Sequence, residues 1–323
     1  MARVRDVCVV GLGLIGGSVL RAAARAGRKV WGAAEAPEDV AAATADGFDV
    51  HTDVGAALRR AAEQDAIVVL AVPLTAIDAV LGAVAEHAPR CVLTDVTSVK
   101  RPVSERVGRL VPNAAFVGGH PMTGSTRSGW AAGDAALFDG AAWVICAEDG
   151  DLTPWAEIAR LALDAGAHVV PTSAAEHDAA VARISHLPHI LSAVLASVGA
   201  QGGPLAMALA AGSFTDGTRV AGGRPELTTA MTEGNREALL PAIDEALGML
   251  GAARGALAST GSLRATIMSG HRGATELAQS RTRERAEVRI DLAGPEAAHA
   301  LRTLGAQGGR VTALDGTVAT AAV

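Results

Sequence analysis

The segment 118–126, GGHPMTGST, sets one imidazole between a glycine pair and a proline and follows it with small hydroxyl residues. Such a backbone is fixed and leaves little bulk around His120. That suits a side chain that must meet another molecule, and equally an ordinary tight turn. A second segment, TDVTSVK at 94–100, puts Thr97, Ser98 and Lys100 just past a strand-like run. A third, EHDAAVARISHLPH at 176–189, carries Asp178, Ser185, His186 and His189, and uniform helical spacing sets 178, 185 and 189 on one face. His189 lies in an apolar stripe, where a satisfied core histidine is the commoner reading. Pro188 should disturb the helix there and free backbone carbonyls. A fourth, FTDGTRVA at 214–221, holds Arg219 in a glycine-rich joint, as an anion-holding guanidinium or as a surface or capping arginine. These types offer a general base, hydroxyls to orient it and a cation for a carboxylate. Four histidines also raise a metal. No pair has zinc-protease spacing, and His186 and His189, three apart, would need two further ligands, so no metal is expected.

Ahead of these lies VVGLGLIGGS at 9–18, with Gly11, Gly13 and Gly16 in G-x-G-x-x-G spacing. A strand-like run precedes it and an Ala-rich helical run, 17–26, follows. Gly11 then allows a tight turn, Gly13 a close approach to a pyrophosphate, and Gly16 close helix–strand packing. The loop residues Leu14 and Ile15 and the strand-end residue Val72 complete the expected dinucleotide contacts. Glu35 stands at the distance where a carboxylate accepts from a ribose 2′-hydroxyl, and no arginine at 33–38 would hold a 2′-phosphate. NAD is therefore expected ahead of NADP. The bland alternatives are a ligand-free glycine turn and a solvated Glu35.

The elements that must carry these residues can be read along the chain. Apolar runs at 6–10, 29–33, 66–72, 91–96, 114–119 and 141–147 read as strands, and 168–172 as a last one. Helical runs at 38–46, 54–63 and 75–87 alternate with them, which predicts a parallel sheet with right-handed crossovers. Ser98 and His120 then sit at the carboxyl edge of that sheet, where open α/β sheets bind ligands. From 174 the strand signals vanish, and 174–200, 204–211, 225–232 and 235–258 read as helices apolar on more than one side, which suits an interlocked homodimer. Residues 280–316 read as charged linker, strand, helix and strand. The fold class expected is α/β: a Rossmann-type parallel-sheet domain (1–173), an all-helical substrate and dimerisation domain (174–279), and a short βαβ-like tail (280–323).

Composition narrows the classes further. Half of the residues are apolar and the net charge is −6, so the chain folds and lacks the basic footprint of a nucleic-acid binder. No uninterrupted run of eighteen apolar residues predicts a membrane span, and Met1 leads into a strand without a signal-peptide layout. Cys8, Cys91 and Cys146 lie in apolar runs, which predicts buried, reduced thiols and a cytoplasmic location. Only Lys29 and Lys100 escape a general preference for arginine, which singles out Lys100.

The nucleotide loop, TDVTSVK, GGHPMTGS, EHDAAVARISHLPH and FTDGTRVA stand in the order seen in prephenate and arogenate dehydrogenases, and the chain resembles that family over residues 5–250. The resemblance implies NAD-dependent oxidative decarboxylation of a cyclohexadienyl substrate: prephenate first, arogenate or a ring-amino analogue as alternatives. It implies His120 as base, Ser98 as its orienting hydroxyl and Arg219 on a substrate carboxylate. His189, helped by Ser125 and Ser185, would face the substrate side chain, with Thr126 also lining the pocket. Asp178, His186 and Lys100 would support. Two positions depart from the family pattern: Thr126, where an acidic residue is common, and Thr228, where an aromatic one is. An ammonium-bearing substrate would want a carboxylate, which Asp134 or Asp139 would have to supply. The tail resembles half of a regulatory amino-acid-binding domain. Outside the family, another 3-hydroxyacid-type dehydrogenase and a non-catalytic dinucleotide sensor remain as readings.

Overall fold

The computed structural model describes residues 4–124 and 127–323. The chain forms two compact units, one of residues 1–178 with 287–323 and one of 179–286.

The first unit opens with six parallel strands, β1 (Val7–Val10), β2 (Val30–Ala33), β3 (Val50–His51), β4 (Ile67–Leu70), β5 (Val92–Asp95) and β6 (Ala115–Val117). Their spatial order is β3-β2-β1-β4-β5-β6, the arrangement expected of a doubly wound nucleotide fold. Helices α1 (Leu14–Arg25), α2 (Pro37–Ala45), α3 (Val54–Gln64), α4 (Ile77–His87) and α5 (Arg101–Leu110) connect them. Continuous apolar runs are needed because both faces are covered. Val7 and Val9 of β1 pack with Val19, Leu20 and Ala23 of α1. Cys8 and Val10 pack with Leu58 of α3, Leu81 of α4 and Val103 of α5 on the other face. Each buried valine or leucine contributes about 1.5–3 kcal/mol. The three cysteines are buried and free, as expected, and burial pushes the Cys8 and Cys91 thiols up to about 12.

A second sheet departs from the expected strand over 114–119. The strand ends at Val117, the chain bends at Gly118, and β7 (Gly119–Pro121) joins β8 (Ala142–Cys146) antiparallel. The glycine pair permits the bend. A Cβ on Gly119 would lie 2.8 Å from the Asp95 carbonyl oxygen, and one on Gly118 3.3 Å from Cys146 Sγ. Helix α6 (Thr153–Asp164) crosses from β8 to β9 (His168–Thr172), parallel to it. The sheet is completed by β10 (Glu287–Asp291), β11 (Arg310–Asp315) and β12 (Val318–Ala322), in the order β10-β12-β11-β9-β8-β7.

The second unit is helical. The chain enters it through α7 (Ala174–Val181), and then come α8 (Leu187–Gln201), α9 (Gly203–Ala208), α10 (Gly212–Thr218), α11 (Pro225–Gly234), α12 (Arg236–Thr260) and α13 (Arg264–Thr282). Between α7 and α8 residues Ala182–His186 form a wide π turn, with the Leu187 amide donating to the Ala182 carbonyl. Pro188 has no N–H to offer Ile184, so the disturbance expected there takes this form. It breaks the uniform period that would have set 178, 185 and 189 on one face. Large apolar side chains stay exposed, among them Val198, Leu209, Leu247 and Leu257, and α13 buries none of its residues. The helical run 174–201 is also long and apolar enough, by length and composition, to cross a membrane, although histidines and charged residues interrupt its sequence.

The tail carries one strand more than expected. Helix α14 (Ala297–Ala306) buries Leu301 and Leu304, and β12 inserts between β10 and β11. Val311 pairs with Val169 of β9, and Gly305 sits where a Cβ would fall 1.7 Å from the Pro171 carbonyl oxygen. The tail thus extends the first unit's second sheet.

Candidate active site

The nucleotide loop has the shape its glycines predict. Gly11 adopts φ +99°, and a Cβ there would lie 2.4 Å from the Ala71 carbonyl oxygen and 3.0 Å from Val72. A Cβ on Gly16 would fall 1.9 Å from the Gly11 carbonyl oxygen, so strand and helix meet there without room for a side chain. Gly13 differs: a Cβ there meets nothing within 4 Å. The open space faces the N-terminus of α1, which no side chain caps. Its first amides, from Leu14 and Ile15 onward, lack intrahelical partners, so the loop fits a dinucleotide pyrophosphate. Glu35 is exposed two residues past the end of β2.

His120 occupies the middle of β7, half-buried. The turn after β5 is locked to the residue before it. Gly119 donates its amide to Asp95 at 3.1 Å, and Lys100 pairs with Asp95 while donating to the Gly119 carbonyl. Lys100 and Asp95 are almost wholly buried, so each charge depends on the other. Asp95 also takes the Thr97 amide at 3.0 Å, and Thr97 Oγ1 donates to the Val99 carbonyl at 2.8 Å, which braces the turn around half-buried Ser98.

Behind His120 lies a residue that sequence reading passed over. His177 Nε2 is 2.9 Å from His120 Nδ1, and His177 Nδ1 is 2.8 Å from Asp178 Oδ1. The Asp178 carboxylate also accepts the Lys100 amide at 2.8 Å and the Arg101 amide at 2.9 Å, at the start of α5. Burial holds His177 below the usual imidazole range, and neighbouring Asp178 opposes this without reversing it. Burial would raise the Asp178 carboxyl, yet hydrogen bonds from His177 and the two amides outweigh it and hold the group low. The only signal in the sequence was adjacency to Asp178.

In the second unit Ser192 of α8 accepts the Ala221 amide at 3.2 Å, fastening the turn Arg219–Gly222 to the helix that bears His189. Burial, then the charge of Arg219, hold His189 below the usual imidazole range, and its buried Nδ1 has no hydrogen-bond partner among the described residues. Arg219 is exposed and Ser185 half-buried. His186 is buried, with Asn235 Nδ2 2.9 Å from its Nδ1, which makes it part of the packing of α12. Ser125 and Thr126 lie outside the described residues. Asp139 is held by Arg25 at 2.6 Å and Asp134 accepts the Ala136 amide at 2.9 Å, so both carboxylates serve local structure. Among the described residues no group of three His, Cys, Asp or Glu could hold a metal ion.

Comparison with known proteins adds to this geometry. Residues 19–171 match the family model for the prephenate dehydrogenase nucleotide-binding domain, and 173–261 that for the prephenate dehydrogenase dimerization domain. The chain is 34% identical over 270 residues to cyclohexadienyl dehydrogenase of Zymomonas mobilis, a match spanning 79% of this chain and 89% of that one. It is 32% identical over 257 residues to prephenate dehydrogenase of Bacillus subtilis, spanning 76% and 68%. A solved Corynebacterium glutamicum structure, provisionally described as a prephenate dehydrogenase, shares 42% identity at a TM-score of 0.89 over 95% of this chain and 98% of that one.

Proposed function

From the premise that the chain belongs to the prephenate dehydrogenase family of oxidoreductases, we propose that it oxidatively decarboxylates prephenate to 4-hydroxyphenylpyruvate, with NAD as the oxidant. The observation that carries this reading is His120, held by its Nδ1 against a buried His177–Asp178 pair. The bound nicotinamide supplies a hydride acceptor. His120 takes the ring-hydroxyl proton as the hydride leaves the same carbon. The opposite ring carboxylate departs as CO2, its bonding pair aromatises the ring, and His120 returns the proton to the phenolate oxygen. Ser98 orients the imidazole and the hydroxyl. Arg219 holds a substrate carboxylate, and His189, kept neutral, faces the substrate side chain with Ser125, Thr126 and Ser185.

The 2′-hydroxyl of the adenosine ribose would donate to Glu35, whose charge disfavours a 2′-phosphate. Prephenate is preferred to arogenate because Asp139 is paired with Arg25 and Thr126 supplies no carboxylate to meet an ammonium group. Residues 1–173 would then bind the cofactor and 174–279 the substrate, in a cytoplasmic homodimer. The buried free thiols fit a reducing compartment. A second copy would cover the exposed apolar helices, including the membrane-length run, as the match to a dimerization domain suggests.

The test is NADH formation with prephenate and arogenate side by side, each with NAD and NADP. Turnover of prephenate with NAD at the highest kcat/KM, with CO2 released in equal amount, is expected. Turnover of arogenate alone, or none with either, overturns the assignment.

A further inference from the structure

We propose that His177 fixes the tautomer of His120: a neutral His177, oriented by Asp178, takes the Nδ1 proton of His120 and leaves its Nε2 as the basic nitrogen. This rests on the reading of His120 as the base. The argument starts from Asp178. An ionised carboxylate only accepts, so His177 Nδ1, 2.8 Å from Oδ1, must carry a proton. The remaining oxygen is engaged by the Arg101 amide, which fixes the plane of the carboxylate and, through it, the ring of His177. His177 Nε2 then bears either a lone pair or the second proton of an imidazolium. The charged groups facing it are Asp178, Lys100 and Asp95, and the last two pair with each other. His177 is 2% exposed, and burial favours its neutral form. Its Nε2 is therefore an acceptor, and the hydrogen in the 2.9 Å contact belongs to His120 Nδ1. The rings meet edge-on, with centroids 5.1 Å apart and planes at 78°, which suits an N–H···N bond and not a stack. The other tautomer of His120 would point two lone pairs at each other here and present an N–H to the substrate hydroxyl. His177 is thus a positioning residue that acts through His120.

The experiment compares the full-length enzyme with His177→Gln and His177→Leu. A glutamine carbonyl oxygen reaches the place of Nε2 and accepts the Nδ1 proton, whereas leucine cannot. Nitrogen-15 NMR of His120 reads its tautomer without any need for turnover. In the parent and the Gln variant the proton is expected on Nδ1, and in the Leu variant on Nε2. The kcat of the Leu variant should fall at least about 10-fold below that of the Gln variant, with KM for the cofactor unchanged in both. The same His120 tautomer in all three proteins overturns the relay, whatever their rates. A tautomer shift in the Leu variant of an enzyme that turns over neither prephenate nor arogenate sustains the relay and overturns the reaction assignment instead.

Discussion

Asp178 accepts the backbone amide of Lys100 at 2.8 Å across 78 positions of sequence. The bond joins the helix carrying His177 to the turn carrying Ser98, and a second amide, from Arg101, makes the grip two-handed. Removing the carboxylate would take the acceptor from the buried Lys100 amide, the partly buried Arg101 amide and a histidine N–H at once. Asp178→Ala should therefore cost about 3 kcal/mol or more in urea unfolding, since each donor left without its acceptor costs about 1–3 kcal/mol. A loss below about 1 kcal/mol would mean that water replaces the carboxylate and that the grip is not structural.

The same pair makes stability fall in acid. His177 is held below its ordinary value, so below about pH 6.5 the unfolded chain takes up a proton that the folded one refuses. Asp178 is also held low. Its stabilisation is present above the unfolded carboxyl value of about 3.9 and is lost as pH falls through its folded value. Melting temperature should thus decline first below about pH 6.5 and again near the carboxyl range. In His177→Leu the first decline should be smaller than in the parent, and an identical pH curve for the two proteins would contradict the assignment.

Two glycines in the nucleotide loop should fail in opposite ways. A side chain at Gly13 meets no protein atom within 4 Å, while one at Gly16 would lie 1.9 Å from the Gly11 carbonyl oxygen. Gly13→Val is expected to keep its melting temperature and raise KM for NAD by at least about 10-fold, because the pyrophosphate loses its close approach. Gly16→Val should lower the melting temperature itself. Thermal melts with and without NAD separate the two, and a destabilised Gly13 variant would show that the open space belongs to folding.

These contrasts also show what the sequence carries and what it withholds. Gly11, Gly13 and Gly16 were legible because a backbone requirement is written in residue type, and β1, β4 and β5 because strands covered on both faces must be apolar throughout. Strand β3, two residues long, and β7, three, are too short to show any period. The bend at Gly118 depends on how near Asp95 and Cys146 come, which only the assembled sheets decide. The role of His177 depends in the same way on amides 77 and 78 positions from Asp178. Lys100 drew notice through composition alone, and its burial against Asp95 supplies the physical reason. Beyond the helical unit, the strand–helix–strand pattern of the tail was visible, but β12 and its pairing between β10 and β11 were not, since its residues Val318–Ala322 lack bulk.

His120→Asn tests the base directly. Asparagine can still donate toward His177 but takes up no proton at neutral pH. With prephenate as substrate, kcat should fall by about 10²–10⁴-fold, the usual share of general-base catalysis. Cofactor affinity, read by fluorescence titration, should stay within twofold or so, about 0.4 kcal/mol. An unchanged kcat removes His120 from the reaction.

Arg219 poses the last question, because it is exposed. Its turn is fastened to α8 through Ala221 and Ser192, so removing the side chain leaves the backbone anchor in place. If the guanidinium holds a substrate carboxylate equally in the ground and transition states, Arg219→Ala raises KM for prephenate by at least about 10-fold while kcat changes much less. Arg219→Lys should recover only part of the loss, since an ammonium keeps the charge but not the two-pronged geometry. The charge of Arg219 also helps hold His189 neutral, so in the Ala variant His189 should titrate at higher pH than in the parent. Nitrogen-15 NMR of His189 checks that separately from kinetics. A variant with parental KM and an upward-shifted His189 would leave Arg219 as a tuner of that histidine and not a substrate ligand.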